Sequence, residues 1–395
     1  MPVIVDAVRT PRGKAKRDGG LSGKTPVELL TTVMRSVVDR SGVDPGSIDD
    51  VIVGCATQTG EQGADIARTA ALLAGLGEET SGATVNRFCA SGLDAVNIAA
   101  AKVEGGHEEI VLAGGVESVS RVPMFSDDGP LYTDPRIIEE VGFVHMGVAA
   151  DLVATLEGFD RAELDEYGVR SHRRAARAWE SGVFDRSLAL VSDTTLDSDE
   201  HVRPDTSLRD LEAMEPAFAG VGASGQDELV LRRYPQAGEI RHLHHRGNSP
   251  SLADGAGAVL VASDRAAEEL GLPVRGRIRA FANHGVDPVI MLTAGQEAIR
   301  KAIERAGMKP ADVDRFEFAE AFAALCLKFE RDLDVDPERF NANGGTIAMG
   351  HAFGATGAIL VATLLDELEH SDSTTGVVGI SGAAGMGVGT VIERL

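Results

Sequence analysis

Three residues in this sequence carry reactive side chains in unusual surroundings. Cys89 lies in "TVNRFCASGLDAVNIAA", directly before an apolar run of small residues with helical spacing. A thiol at a helix N-terminus sits at the positive end of the helix dipole, which favours the thiolate. The alternative is a small buried hydrophobe, the ordinary state of a free cysteine. His351 lies in "NANGGTIAMGHAFGATGA" and opens a second such run. Its flanking glycines permit close backbone approach and unusual φ, which a packing histidine rarely requires. The alternative is a histidine that caps its helix. A cysteine and a histidine brought together from distant parts of a chain form a nucleophile–base pair. Ser381, in "TGVVGISGAAGMGVG", is the third. GISGA approximates the G-x-S-x-G turn of a serine nucleophile, and GAAGMG approximates a phosphate-cradling glycine loop. The elbow reading fails on context. That turn must pass into a helix, whereas "AAGMGVGTVIERL" reads as a strand.

The elements that would position these residues alternate. "PVIVDAV", "DDVIVGCA" and "EEIVLAGGVES" read as strands; "TPVELLTTVMRSVVDRSG", "DIARTAALLAGL" and "GLDAVNIAAAKVEGG" read as helices. Such alternation predicts an α/β domain with a largely parallel sheet. Residues 121–250 carry more charge and more loop signals, with one long helical block at "RAELDEYGVRSHRRAARAWESG", and read as an insertion. From 251 the α/β pattern returns, and with it an internal repeat. "RSGVDPGSIDDVIVG" at 40–54 matches "RAGMKPADVDRFEFA" at 305–319: Arg40 with Arg305, Gly42 with Gly307, Pro45 with Pro310. The Cys89 block and the His351 block also correspond, each a reactive residue, a glycine turn, an apolar helix, a polar loop and a buried strand. The surface between two related halves is a natural place for a site.

Bulk properties narrow the function. A chain of 395 residues with 43% hydrophobic residues can bury more than one core. A formal charge of −23 repels nucleic acid and anionic membranes, so neither is an expected partner. The run Arg170, His172, Arg173, Arg174, Arg177 is one candidate for a basic patch, to be read as a solvated helix face or as an anion contact. Cys55, Cys89 and Cys326 are too scattered for a disulfide framework or a metal site. They fit a reducing compartment. With no leader-like segment and no apolar run of about 18 residues, a cytoplasmic location is expected.

"VNRFCASGLDAV", "HMGVAAD", "AEAFA", "NANGGTIAMGHAFGATGA" and the closing "GMGVGTVIERL", in this order and spacing, resemble the thiolase family over essentially the whole chain. The resemblance implies an α/β thiolase fold. Two related βαβαβαββ halves would form a five-layer αβαβα core, with a loop domain inserted in the first half. The expected division is 1–120 for the half with the nucleophile, 121–250 for the loop domain, and 251–395 for the half with the catalytic histidine. The implied activity is acyl transfer between acyl-CoA and CoA, as in acetyl-CoA acetyltransferase and 3-oxoacyl-CoA thiolase. Coenzyme A is then a substrate, with no permanently bound cofactor, and a homodimer or homotetramer is the expected assembly. Cys89 would be the nucleophile and His351 would polarise it. His145 and Met146 match the loop-domain motif that lines the pantetheine channel, with Ser249 and Ala383 as further CoA-side positions. The basic run at 170–177 falls in the same loop domain and could face the CoA phosphates.

The chain also departs from the family's pattern. Ser381 stands where the resemblance puts a second cysteine, which moves the substrate's α-proton in carbon–carbon bond chemistry. Free cysteine titrates at about 8.5, whereas a serine hydroxyl is a poor acid–base near neutrality. Ala319 replaces the asparagine that holds a water in an oxyanion hole, and losing one such donor costs about 10²–10³ in rate. Ala352 stands for a proline, Ala383 for a glycine, and Pro250 for a serine that faces pantetheine. His284 and Glu320 are candidates for a substitute base, and nothing in the spacing selects either one. Three readings follow: a thiolase with an altered acid–base set, a thiolase-fold acyltransferase or thioesterase without carbon–carbon chemistry, and a non-catalytic acyl-CoA-binding protein.

Overall fold

The structure is a computed structural model describing residues 1–395. The first half runs β1 (Pro2–Arg9), β2 (Gly13–Lys14), α1 (Pro26–Ser41), β3 (Asp50–Gly54), α2 (Ile66–Ala74), β4 (Ser81–Val85), α3 (Ser91–Glu104) and β5 (Ile110–Ser118). Local sequence explains the boundaries. Helix α1 starts at Thr25 with a capping box to Glu28 and a proline in its first turn, and stops at Gly42 with φ 70°. Strands β1, β3 and β5 are apolar runs buried along their whole length, as expected for a sheet covered on both faces.

Between β5 and the next strand lies the insertion. Its main helices are α4 (Met146–Glu157) and α5 (Arg161–Glu180). Then follow β6 (Ala253–Ser263), β7 (Gly276–Gly285), α6 (Ala294–Arg305), β8 (Arg315–Phe318), α7 (Ala323–Asp332), α8 (Phe353–His370), β9 (Thr375–Gly382) and β10 (Met386–Arg394).

The strand order is β4-β3-β5-β6-β1-β7-β10-β9-β8, with β2 on β6. Two half-sheets meet where β1 pairs with β7 through only Val3–Arg277 and Ile4–Gly276. Helices α3 and α8 pack on each other between the half-sheets, α3 against β5 and β3 and α8 against β5, β6 and β9. Outside them, α1 and α2 cover the first half-sheet and α6 the second. This is the five-layer αβαβα arrangement. The repeat is visible in three dimensions. Both 40–54 and 305–319 are a helix end, a left-handed glycine, a one-turn helix at the proline and a strand. In the second half the counterpart of β4 has shrunk to a single bridge, Phe316 with Phe340.

One expected boundary shifts. β6 is hydrogen-bonded between β5 and β1, so it completes the first half-sheet, and the second half's own strands begin at Gly276. A boundary at 250/251 divides the chain one strand too early. Local sequence marks where a strand starts, whereas its partners are set by pairing across the fold.

Candidate active site

Cys89 sits in the turn between β4 and α3. Asn86 Oδ1 accepts the Phe88 amide at 2.7 Å. Ser91 Oγ accepts the Arg87 amide at 2.8 Å and donates to the Phe88 carbonyl at 2.5 Å. These bonds hold Phe88 at φ 49°, a left-handed conformation that a bulky residue adopts only under constraint. The result is a half-buried thiol at the head of α3. Its protonation corrects the expectation from the helix dipole. Burial first, and the Glu117 carboxylate second, push the thiol up to about 12, so the side chain rests as a thiol. Nothing in "EEIVLAGGVES" announced Glu117 except a charge inside a buried strand. Its oxygens accept the amides of Ala56 (2.9 Å), Thr57 (3.1 Å) and Gly354 (2.9 Å) and the Gln62 side chain (2.6 Å).

His351 is delivered by the second half. Gly350, at φ 103°, turns the chain in a way that an L side chain resists. The His351 amide donates to the Ser251 carbonyl at 2.7 Å, and its carbonyl accepts the Ala253 amide at 3.1 Å. Its Nδ1 is 2.9 Å from Thr356 Oγ1, which leaves Nε2 free for other work. Burial, with Arg12 nearby, pulls its pKa down to about 4, so the ring is neutral at ordinary pH. Arg12 is itself fixed by the buried Asp199 and by the Gly350 carbonyl. Neither Arg12 nor Thr356 was singled out by sequence: Arg12 acts across a long separation, and Thr356, five residues on, reads as one more small residue of α8.

Both residues line one cavity of about 280 Å³. It collects eight of the positions that the sequence suggested: Cys89, His351, Ser381, Ala319, His145, Met146, Ser249 and Ala383. Pro250 also lines it, and Phe218, Phe322 and Phe353, which the sequence reading did not reach, supply aromatic walls. Its wall contains no carboxylate, lysine, arginine or tyrosine. Cys89, His145 and His351 are therefore its only ionisable side chains.

Ser381 has both of its hydrogen-bonding roles committed. Its hydroxyl donates to the Leu292 carbonyl at 2.6 Å and accepts the Gly295 amide at 3.0 Å. It thus clips β9 to the first turn of α6. Ala319 is buried beside it and contributes no donor from its side chain. His145 caps α4: its Nδ1 accepts the Gly147 amide at 3.1 Å. The neutral ring therefore carries its proton on Nε2 and can only donate there. Burial lowers its pKa as well. Ser249 Oγ is buried without a hydrogen-bond partner, although it lines the cavity.

Three sequence suggestions lie elsewhere. Glu320 accepts Tyr167 Oη at 2.9 Å, Ser171 Oγ at 2.7 Å and the Ile347 amide at 3.0 Å, and does not line the cavity. His284 is half-exposed on β7, paired with Gly387, and is also absent from the wall. Neither is a substitute base. The basic run on α5 is not a CoA contact at this cavity. Arg170 pairs with Glu330, Arg174 pairs with Glu338 at 2.7 Å and holds the Phe340 carbonyl, and His172 is buried. Arg170 and Arg174 thus join the insertion to the second half, whereas Arg173 and Arg177 are exposed and make no ion pair.

Comparison with known proteins agrees with this architecture. Residues 2–225 match the family model "Thiolase, N-terminal domain" and residues 272–394 match "Thiolase, C-terminal domain". A 3-ketoacyl-CoA thiolase of Pseudoalteromonas translucida is 37% identical over 406 aligned positions, covering 100% of this chain and 99% of that protein. One of Aliivibrio fischeri is 36% identical, with 99% of each covered. The crystal structure of the Bacillus anthracis acetyl-CoA acetyltransferase superposes with a TM-score of 0.86 at 33% identity, covering 100% of this chain and 98% of that one.

Proposed function

The chain belongs to the thiolase family, and on that premise we propose that this acyl-CoA acyltransferase works through an acyl group carried on Cys89. The observation that carries the reading is the shared cavity. A half-buried thiol and a neutral, buried imidazole with a free Nε2 face one largely apolar space, delivered from two halves of the core.

The step balances as follows. His351, with Nδ1–H donating to Thr356 Oγ1, takes the Cys89 proton on Nε2. The sulfur attacks the thioester carbonyl, and the bond from the acyl carbon to the CoA sulfur breaks. The departing CoA thiolate takes the proton back from His351. Acyl-Cys89 and free CoA result, and the reverse sequence loads an acyl group onto CoA. Because the thiol rests protonated and the imidazole rests neutral, proton transfer accompanies attack rather than preceding it. His145 Nε2–H and the unpartnered Ser249 hydroxyl suit the amide groups of the pantetheine arm, along with Met146 and Ala383.

A second reading is favoured by a specific observation. The Ser381 hydroxyl is committed to Leu292 and Gly295, Ala319 supplies no side-chain donor, and no carboxylate lines the cavity. Acyl transfer is therefore supported by more of the wall than carbon–carbon bond making or breaking. One assay separates the two. Incubation with acetyl-CoA should give acetyl-Cys89 by mass spectrometry, abolished in Cys89→Ala. Incubation with 3-oxoacyl-CoAs of several lengths plus CoA then reads carbon–carbon cleavage. Absence of acetyl-Cys89 overturns the acyl-enzyme reading. Cleavage at rates comparable with transfer overturns the second.

A further inference from the structure

The segment from Phe218 to Arg233 packs over the start of α4 and touches the cavity edge at two points. The Phe218 ring lies 5.2 Å from the His145 ring between centroids, and Gln226 Oε1 accepts the His145 amide at 2.7 Å. His145 is the N-cap of α4, so Gln226 fixes where that wall of the cavity begins. The residue after Gln226 is held by His242. Its Nδ1–H donates to Asp151 Oδ2 on α4 at 2.8 Å, and its Nε2–H donates to Asp227 Oδ2 at 3.0 Å. The segment leaves room for the ring: a Cβ at Gly222 would lie 2.6 Å from His242 Cε1. We propose that His242 is a positioning residue for the CoA arm, clasping Asp227 to Asp151 and so setting His145 and Phe218 around it. This rests on the reading of the cavity as the place where an acyl group passes from CoA to Cys89.

The two ends of the clasp are unequal. Asp151 is buried, and its Oδ1 also accepts the amides of Leu243 (3.0 Å) and His244 (3.0 Å) and the His244 ring (2.7 Å). Asp227 Oδ1 is buried without a partner, so His242 is the one hydrogen-bond partner of that carboxylate. Only an imidazolium has the two N–H groups that bridging two carboxylates requires, and a neutral ring keeps one. Asp151 and Asp227 are the carboxylates that face the ring, and Arg241 beside it in the chain is exposed. The bond to Asp151, then that to Asp227, outweigh partial burial and raise His242 to about 9. The bridge is therefore complete at neutral pH and is lost as pH rises through about 9. Asp151 keeps its other donors, so the Asp227 end releases. Leu229 and Val230 stay buried, so what loosens is Gln226 and the edge of the cavity, not the whole segment.

The test follows acetyl-Cys89 formation against acetyl-CoA concentration, by rapid quench and mass spectrometry, from about pH 6.5 to about pH 10. In wild type the half-saturating concentration should rise about tenfold as pH passes about 9, the scale of one charge-assisted hydrogen bond. His242→Gln and Asp227→Asn should show the raised value already at about pH 7 and keep it flat, with maximal rates within about twofold of wild type. Asp227 is partly exposed, so Asp227→Asn carries the test if His242→Gln is too unstable to label. Gln226→Ala should give the same raised, flat value, because it cuts the link to His145. A wild-type value that stays flat through pH 9, or a rise that persists in the variants, overturns this inference and leaves the acyl carrier intact. A loss of maximal rate with half-saturation unmoved overturns it as well. No acetyl-Cys89 in wild type at any pH overturns the carrier reading, and this inference with it.

Discussion

At the scale of single residues, Ser381 is the informative departure. Its oxygen satisfies a buried carbonyl and a buried amide at the start of α6, so its replacement has a structural cost as well as a chemical meaning. A buried donor or acceptor left unpaired costs about 1–3 kcal/mol. Ser381→Ala should lower the unfolding free energy by about that amount in chemical denaturation. A thiol is a weak donor and a weak acceptor, so Ser381→Cys should lose part of the same stability. It also introduces an acid that titrates nearer neutrality, and should raise 3-oxoacyl-CoA cleavage at least tenfold in a thiolysis assay. No gain would mean that the missing thiol is not what limits that chemistry.

At the scale of elements, Glu117 joins the halves beside the site. It sits at the end of β5 and gathers amides from the 56–57 loop of the first half and from Gly354 at the head of α8 in the second. Gly354 is required there, since a Cβ would lie 2.8 Å from Cys55 Cα and from the Ala56 nitrogen. A carboxylate that only accepts is the right partner for converging N–H groups. An amide would turn a donor toward donors, so Glu117→Gln should destabilise by about 2–3 kcal/mol. The same charge is the second cause, after burial, of the raised Cys89 thiol. Alkylation of Cys89 by iodoacetamide should therefore rise at lower pH in Glu117→Gln than in wild type. A purely structural role for Glu117 would leave that profile in place.

At the scale of the whole molecule, buried histidines tie stability to pH. His351 and His172 both titrate at about 4, each mainly because burial disfavours the charged ring. Their folded values lie below the unfolded value of about 6.5. The stabilisation is thus fully present above pH 6.5 and is lost as pH falls through about 4, on the order of 3 kcal/mol each. His242 runs the other way. Its bonds to Asp151 and Asp227 raise it to about 9. Its contribution is present below pH 6.5 and is lost as pH rises through about 9. Urea midpoints should fall on both sides of a maximum near pH 6.5. His351→Gln should flatten the acid limb and His242→Gln the alkaline limb. Limbs of unchanged slope in those variants would show that other groups control the profile.

The sequence by itself determined the alternation of strands and helices, the repeat, and the residue types at the site. Periodicity, caps and glycine turns are local properties, and "VNRFCASGLDAV" and "NANGGTIAMGHAFGATGA" mark turns that only certain backbones can make. Only the tertiary structure decided what those residues experience. The helix dipole argued for a thiolate at Cys89, but burial and a carboxylate from β5 keep it a thiol. The arginines of α5 looked available for an anion, but Glu330 and Glu338 take two of them. β6 looked like the start of the second half, but it pairs with β5 and β1. Ser381 looked like an idle substitute, but it holds β9 to α6. In each case the deciding partner lies far away in sequence, and desolvation, charge pairing and strand registry depend on what the fold brings near.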